Sequence, residues 1–171
     1  LLHEDRTFPP SDEFKKQANI SDPNIYEEAL KDPEAFWAKF AGELDWIKKW
    51  DQVLQWDPPH AQWFVGGKLN VSYNCIDRHL QGPKKDQTAL IWEGDGGEVR
   101  RFTYAEMSAE VSKLAGAMRA MGIKPGDAAG IFMPMIPETV FAMFACFKVG
   151  AVAIPIFSGF GPEAVGERLA H

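Results

Sequence analysis

Apolar residues change their spacing along this chain. Up to about Lys85 they come as scattered aromatic rings and prolines without strand alternation, which predicts short helices joined by irregular connections that wrap rather than form a sheet. The first clear helix opens at Asp32 as N-cap with Pro33 at the first helical position. Phe36, Phe40, Leu44 and Ile47 follow at spacings of four, four and three and predict one buried stripe. A second helix is predicted over 71–80, where Cys75, Ile76, His79 and Leu80 recur at helical spacing.

From Thr88 the pattern turns to alternating strands and helices. T-A-L-I-W-E, the turn G-D-G-G and the returning V-R-R-F-T predict a β-hairpin. The helix after it is signalled at both ends: Thr103 as N-cap with Glu106 as capping-box partner, and Gly122 before apolar Ile123 as a left-handed stop. Met107, Val111, Leu114 and Met118 line its inner face. The segment A-A-G-I-F-M-P is apolar enough for a strand covered on both faces. The next helix, over 138–149, is apolar nearly all round and is expected between layers. Another buried strand, A-V-A-I-P-I-F, follows it, so strand, helix and strand predict a parallel pair joined by a right-handed crossover. The class is α/β, and the polar stretch over 82–87 is the expected boundary between an extension over 1–85 and an α/β domain over 86–171.

Composition narrows the partners. With 46% apolar and 25% charged residues the chain carries a packed core, and its net charge of −6 argues against nucleic acid. The basic pairs Arg100–Arg101 and Lys84–Lys85 read as solvated surface. Cys75 and Cys146 show no disulfide or metal spacing, which fits a reducing, cytoplasmic setting. The apolar stretch over 131–157 is interrupted by Pro134, Pro137, Glu138, Lys148, Gly150 and Pro155 and does not read as a membrane span; His3 to Arg6 argue against a signal peptide. A start without Met and a stop inside a running helix read as a fragment, and the cut sheet edge predicts self-association.

One segment can hold a ligand. F-S-G-F-G-P-E-A-V leaves a parallel strand and opens a helix, with Gly161 as cap and Pro162 at its first position; free N–H groups there favour an anion or polar group. The alternative is a tight turn whose glycines only satisfy backbone angles. Cys75 and His79, four apart, read as a buried thiol with a hydrogen-bonded imidazole rather than half a zinc site, since no second pair exists. The six tryptophans read as core packing. Asp45 with Lys48 or Lys49, and Glu110 with Lys113, read as helix-surface ion pairs; Asp77 and Arg78 form a local pair or anchor the helix elsewhere. No Ser-His-Asp order, H-E-x-x-H or complete phosphate loop occurs.

W-F-V-G-G-K-L-N-V-S-Y-N-C-I-D-R-H-L closely resembles the N-terminal signature of acetyl-CoA synthetases, and the likeness continues in T-A-L-I-W-E-G-D, F-T-Y-A-E-M, G-D-A-A-G-I-F-M-P-M-I-P-E and F-S-G-F-G-P-E-A-V. The resemblance implies the first part of the large domain of an AMP-forming acyl-CoA synthetase, a parallel βαβ layer behind an irregular helical extension. Such a ligase activates acetate or a similar carboxylate with ATP and Mg²⁺ to an acyl-adenylate and passes the acyl group to coenzyme A. It also implies that Phe157, Ser158, Gly159 and Phe160 lie near coenzyme A; Ser158 stands where the family usually has glycine. The residues that grip ATP and drive adenylation would lie beyond His171, so the chain alone is expected to be inactive. A non-catalytic module binding coenzyme A or a partner chain on the same fold is the rival reading.

Overall fold

The computed structural model describes residues 5–170 and divides the chain into two compact units, 1–43 and 44–171. The first holds three short helices. Helix α1 (Asp12–Gln17) is capped by Ser11, α2 (Ile25–Lys31) follows, and α3 (Pro33–Ala41) opens where Asp32 Oδ1 accepts the Ala35 N–H at 3.0 Å. The expected stripe is shorter and less buried than its spacing implied. Gly42 ends α3, so Leu44 and Ile47 fall outside it, and Phe36 and Phe40, 4.9 Å apart ring to ring, are only half-buried.

The second unit begins with strands that the sequence pattern did not announce. β1 (Gln52–Asp57) and β2 (His60–Val65) pair antiparallel, with Leu54 opposite Trp63 and Trp56 opposite Ala61. Pro58 and Pro59 occupy the two-residue turn, where no ladder hydrogen bond is lost; read as breakers, they concealed the hairpin. Ile47 and Lys48 donate to the Lys68 carbonyl at 2.7 and 3.1 Å. Trp46, Trp50 and Phe64 form an aromatic cluster with centroids 4.9 to 5.6 Å apart. Tryptophan is not the core here: Trp37, Trp56 and Trp63 are exposed and the other three half-buried.

The rest follows the expected order more closely. After α4 (Val71–Cys75) and a 3₁₀ turn (Asp77–His79) come β3 (Thr88–Glu93) and β4 (Val99–Thr103), an antiparallel hairpin. Helix α5 (Tyr104–Ala120) packs against it, and β5 (Ala128–Phe132), α6 (Pro137–Val149) and β6 (Val152–Ile156) form the parallel βαβ unit, followed by α7 (Pro162–Ala170). The core lies where one face of α5 meets α6 and the inner face of the parallel pair: Met107, Val111, Ala115, Met118, Ile131, Phe141, Ala145, Cys146 and Val149 are buried, with Leu114 half-buried beside them. No residue of α6 faces solvent fully, as its all-round apolar sequence requires. Gly150 closes it at φ +81°, a left-handed angle that β-carbon-bearing residues avoid.

The parallel pair is covered by the core helices on one face and in part by α7 on the other. Ile131, with Ala129 and Ala153, faces the core, whereas Ile156 is buried on the opposite face, where Leu169 of α7 lies against Gly130; Phe132 and Val152, on that second face, stay exposed. The apolar run was expected to be covered on both faces; α7 reaches the second face at Gly130 and leaves Phe132 open.

Thr103 and Glu106 form a full capping box: the Glu106 carboxylate accepts the Thr103 N–H at 2.8 Å and Thr103 Oγ1 accepts the Glu106 N–H at 3.2 Å. Thr103→Ala should therefore lower stability by about 1 kcal/mol in urea unfolding. The backbone and then the hydroxyl of Thr103 hold the Glu106 carboxyl below its ordinary 4.5. A depressed carboxylate stabilises fully above that ordinary value and loses its effect as pH falls through the lower, folded-state value. The cost of Thr103→Ala should thus shrink below about pH 4.5. A cost that stays constant through that acid range would show the carboxylate to be irrelevant.

Candidate functional site

Two loops leave the carboxyl ends of the parallel strands side by side, because Phe132 and Ile156 are the last register partners. In open α/β sheets this edge is where ligands bind. The loop after β6 carries all four residues singled out from the sequence, Phe157, Ser158, Gly159 and Phe160, and every one is exposed. Phe160 N–H donates to the Phe157 carbonyl at 3.0 Å, closing a turn that stands the two rings edge to face at 5.5 Å. The Arg168 guanidinium lies 4.2 Å from the Phe160 ring centre, so α7 braces the loop. Phe157 is 69% exposed and Phe160 36%.

Gly159 serves space rather than backbone handedness. Neither Gly159 nor Gly161 has a left-handed φ, whereas a β-carbon on Gly159 would lie 2.5 Å from Phe157 Cε1. Gly161 has open space around it and precedes the first turn of α7, where Val165 N–H donates back to its carbonyl at 3.2 Å.

The second loop, over 133–136, was not singled out, although it occupies the same edge and the same rule applies to it. It is tied from within and from the β3–β4 hairpin. Thr139 Oγ1 and Ile136 N–H donate to the Pro134 carbonyl at 2.6 and 2.8 Å, and Trp92 Nε1 donates to the Met135 carbonyl at 2.7 Å. Arg100, expected to be solvated, pairs with Glu138 at 2.8 Å and lies over the Phe102 ring. The hydrogen bond from Arg100 holds the Glu138 carboxyl below its ordinary range.

The signature segment is an anchor. Asn70 caps α4, its Oδ1 accepting the Tyr73 N–H at 3.1 Å, and its Nδ2 donates to the Phe147 carbonyl of α6 at 2.8 Å. Asn74 exchanges two hydrogen bonds with the Asp45 backbone, and Arg78 reaches both Asn74 and the Asp45 carboxylate. Asp45 therefore pairs with Arg78 rather than with Lys48 or Lys49, because it lies outside any helix; Lys48 takes Asp51 instead. Glu110 and Lys113 do pair, at 2.7 Å. Asp77 accepts from Lys148 Nζ at 2.7 and 2.9 Å and from Ser108 Oγ at 2.8 Å, joining the 3₁₀ turn to α5 and α6.

Cys75 and His79 do not act together. The change from α-helix to 3₁₀ turn after Cys75 resets the phase, leaving Cys75 exposed while His79 packs edge-on against Tyr104 at 4.9 Å. Burial, then the charges of Lys84 and Arg78, lower the His79 pKa from 6.5, with Asp45 opposing. The buried thiol is Cys146, raised from 9.0 by burial.

An open cleft of about 540 Å³ lies over the anchor, lined by Trp46, Ile47, Tyr73 and the polar residues Asp45, Asn70, Asp77 and Lys148. Those polar groups are already bound to one another or to backbone, which marks the cleft as part of the anchor. Among the described residues no three His, Cys, Asp or Glu side chains gather as a metal set, and no helix is long and apolar enough to cross a membrane.

A parallel βαβ unit with braced loops at its carboxyl edge defines an open-sheet α/β domain, a class whose ligands bind at that edge. Two family models match consecutive stretches: the acetyl-coenzyme A synthetase N-terminus over residues 23–75 and the AMP-binding enzyme model over 76–171. The second spans more than half of the chain, which belongs to the AMP-binding enzyme family. The chain is 49% identical over 165 residues to an acetyl-coenzyme A synthetase of Rubrobacter xylanophilus, covering 96% of this chain and 26% of that protein. With the enzyme of the same name from Gemmatimonas aurantiaca it shares 48% over 169 residues, covering 99% and 26%. It thus spans about a quarter of the length of these curated relatives. The solved acetoacetyl-CoA synthetase from Streptomyces lividans superposes with a TM-score of 0.78 at 27% identity, over 88% of this chain and 24% of that one.

Proposed function

We propose that this chain is the N-terminal portion of an AMP-forming acetyl-CoA synthetase, working in the cytoplasm on acetate or a similar short carboxylate. The observation that carries the reading is the unbroken succession of an acetyl-coenzyme A synthetase N-terminus and an AMP-binding stretch, with nearly half of the residues identical to enzymes of that name. In the reaction the carboxylate attacks the α-phosphorus of ATP and pyrophosphate leaves. The thiol sulfur of coenzyme A then bonds to the acyl carbon, the bond from that carbon to the AMP oxygen breaks, and the thiol proton is released.

The residues present do not fit Mg²⁺ and ATP. No carboxylate set gathers among the described residues, and the sequence has no glycine-rich loop closed by a lysine. No adenylation step is therefore assigned to this chain; in this reading it belongs to the remaining three-quarters of the protein. Coenzyme A fits better. The loop over 157–160 offers exposed aromatic faces, the Ser158 hydroxyl and the amides opening α7, a mixture suited to an anionic cofactor with an amide-rich arm. The outer edges of β5 and β6 have no partner strand among the described residues, so self-association of the isolated chain is part of the reading.

The complete protein should catalyse acetate-dependent ATP–pyrophosphate exchange, and the 171-residue chain by itself none. A complete protein without exchange on any short carboxylate would sink the proposal. Gly159→Leu in the complete protein should raise the KM for coenzyme A about tenfold, the factor given by roughly 1.4 kcal/mol of lost binding. The exposed Phe157 ring can swing aside, so the fold tolerates the change while the loop surface does not.

A further inference from the structure

We propose that the loop over 133–136 is a second wall of the coenzyme A site, and that Trp92 and Arg100 are positioning residues that set its place from the β3–β4 hairpin. This rests on the ligase reading above. Because Phe132 and Ile156 are register partners, Met133 and Phe157 start about 4.8 Å apart, the spacing of neighbouring strands. A ligand resting against the second loop at the strand ends therefore meets the first as well.

What the loop over 133–136 presents follows from its hydrogen bonds. The Pro134 and Met135 carbonyls are both occupied, the one by Thr139 and Ile136, the other by the Trp92 indole. Its outward surface is left apolar, and Met135 is 86% exposed. An exposed thioether at the same strand-end edge as the Phe157 and Phe160 rings suits the flexible, uncharged arm of coenzyme A rather than its phosphates. The anchoring exceeds what α6 needs to begin. Pro137 already opens that helix at its first position, and the Thr139 contact already closes the turn before it. Trp92 nevertheless reaches the loop itself from 43 residues away, and Arg100, opposite it in the hairpin, pairs with Glu138 in the first turn of α6 directly after the loop.

The test uses the complete protein and coenzyme A, with ATP–pyrophosphate exchange and thioester formation measured separately. Trp92→Phe keeps the ring and removes the N–H donor. It should raise the KM for coenzyme A about fivefold relative to any change in exchange, the factor that one hydrogen bond supplies. Arg100→Ala should act in the same direction and Arg100→Lys should recover most of the loss, with urea unfolding confirming that each variant folds. Equal losses in the two half-reactions, or an unmoved KM in both Trp92→Phe and Arg100→Ala, would overturn the inference and leave the ligase reading standing. Absence of exchange in the unsubstituted protein would overturn that reading, and this inference with it.

Discussion

Phe141→Ala should lower the unfolding free energy by about 3–5 kcal/mol, the range for deleting a buried aromatic ring. Phe141 is 4% exposed and meets the Phe102 ring edge to face at 5.1 Å, so it joins α6 to the β3–β4 hairpin as well as to α5. The void would lie between secondary-structure elements that are each held elsewhere and cannot collapse into it, which favours the upper part of the range. Phe141→Leu fills most of the space and should cost clearly less. Urea midpoints at constant slope would check both. Equal losses for alanine and leucine would show that the ring's shape, rather than its volume, is what the site requires.

Asp77→Ala should cost about 1–3 kcal/mol. Removing the carboxylate strands the Lys148 ammonium and the Ser108 hydroxyl in a partly enclosed place, and leaving such partners unsatisfied costs more than the net value of the bonds. Lys148 keeps 28% of its side-chain surface and Asp77 18%, so solvent screens the pair and the loss stays below that of a fully buried one. Asp77→Asn retains acceptor geometry and should lose less. Pairing each change with Lys148→Ala in a double-mutant cycle isolates the ion pair; a coupling energy near zero would contradict the role given to it.

How far the sequence could be read depended on how local each cause was. The capping box of Thr103 and Glu106 acts within one turn of helix, and an α6 with no fully exposed residue follows from its own composition; both were legible. The parallel pair was legible because a strand, an apolar helix and a second strand leave little other choice. The failures share a different origin. Trp56 and Trp63 look like core residues by type, yet they stand on a two-stranded ribbon, β1 with β2, and both rings stay exposed. Asp45 finds Arg78 rather than Lys48 because pairing follows the path of the chain and not spacing along a helix that does not form. The turn over 157–160 that joins β6 to α7 was legible because strand, glycines and proline are contiguous there. The indole of Trp92 reaches a carbonyl 43 residues away, and no local pattern records such a bond.

The Asp77 node also bears on how the molecule is made. Its partners Ser108 and Lys148 lie 31 and 71 residues further along the chain. During synthesis the segment around Asn70 to Arg78 emerges from the ribosome well before the lysine that fastens it, and a five-residue helix has little stability alone. Until α6 has been translated the signature segment can be fastened only to the earlier Asp45, and the docking of that helix is the event that completes it.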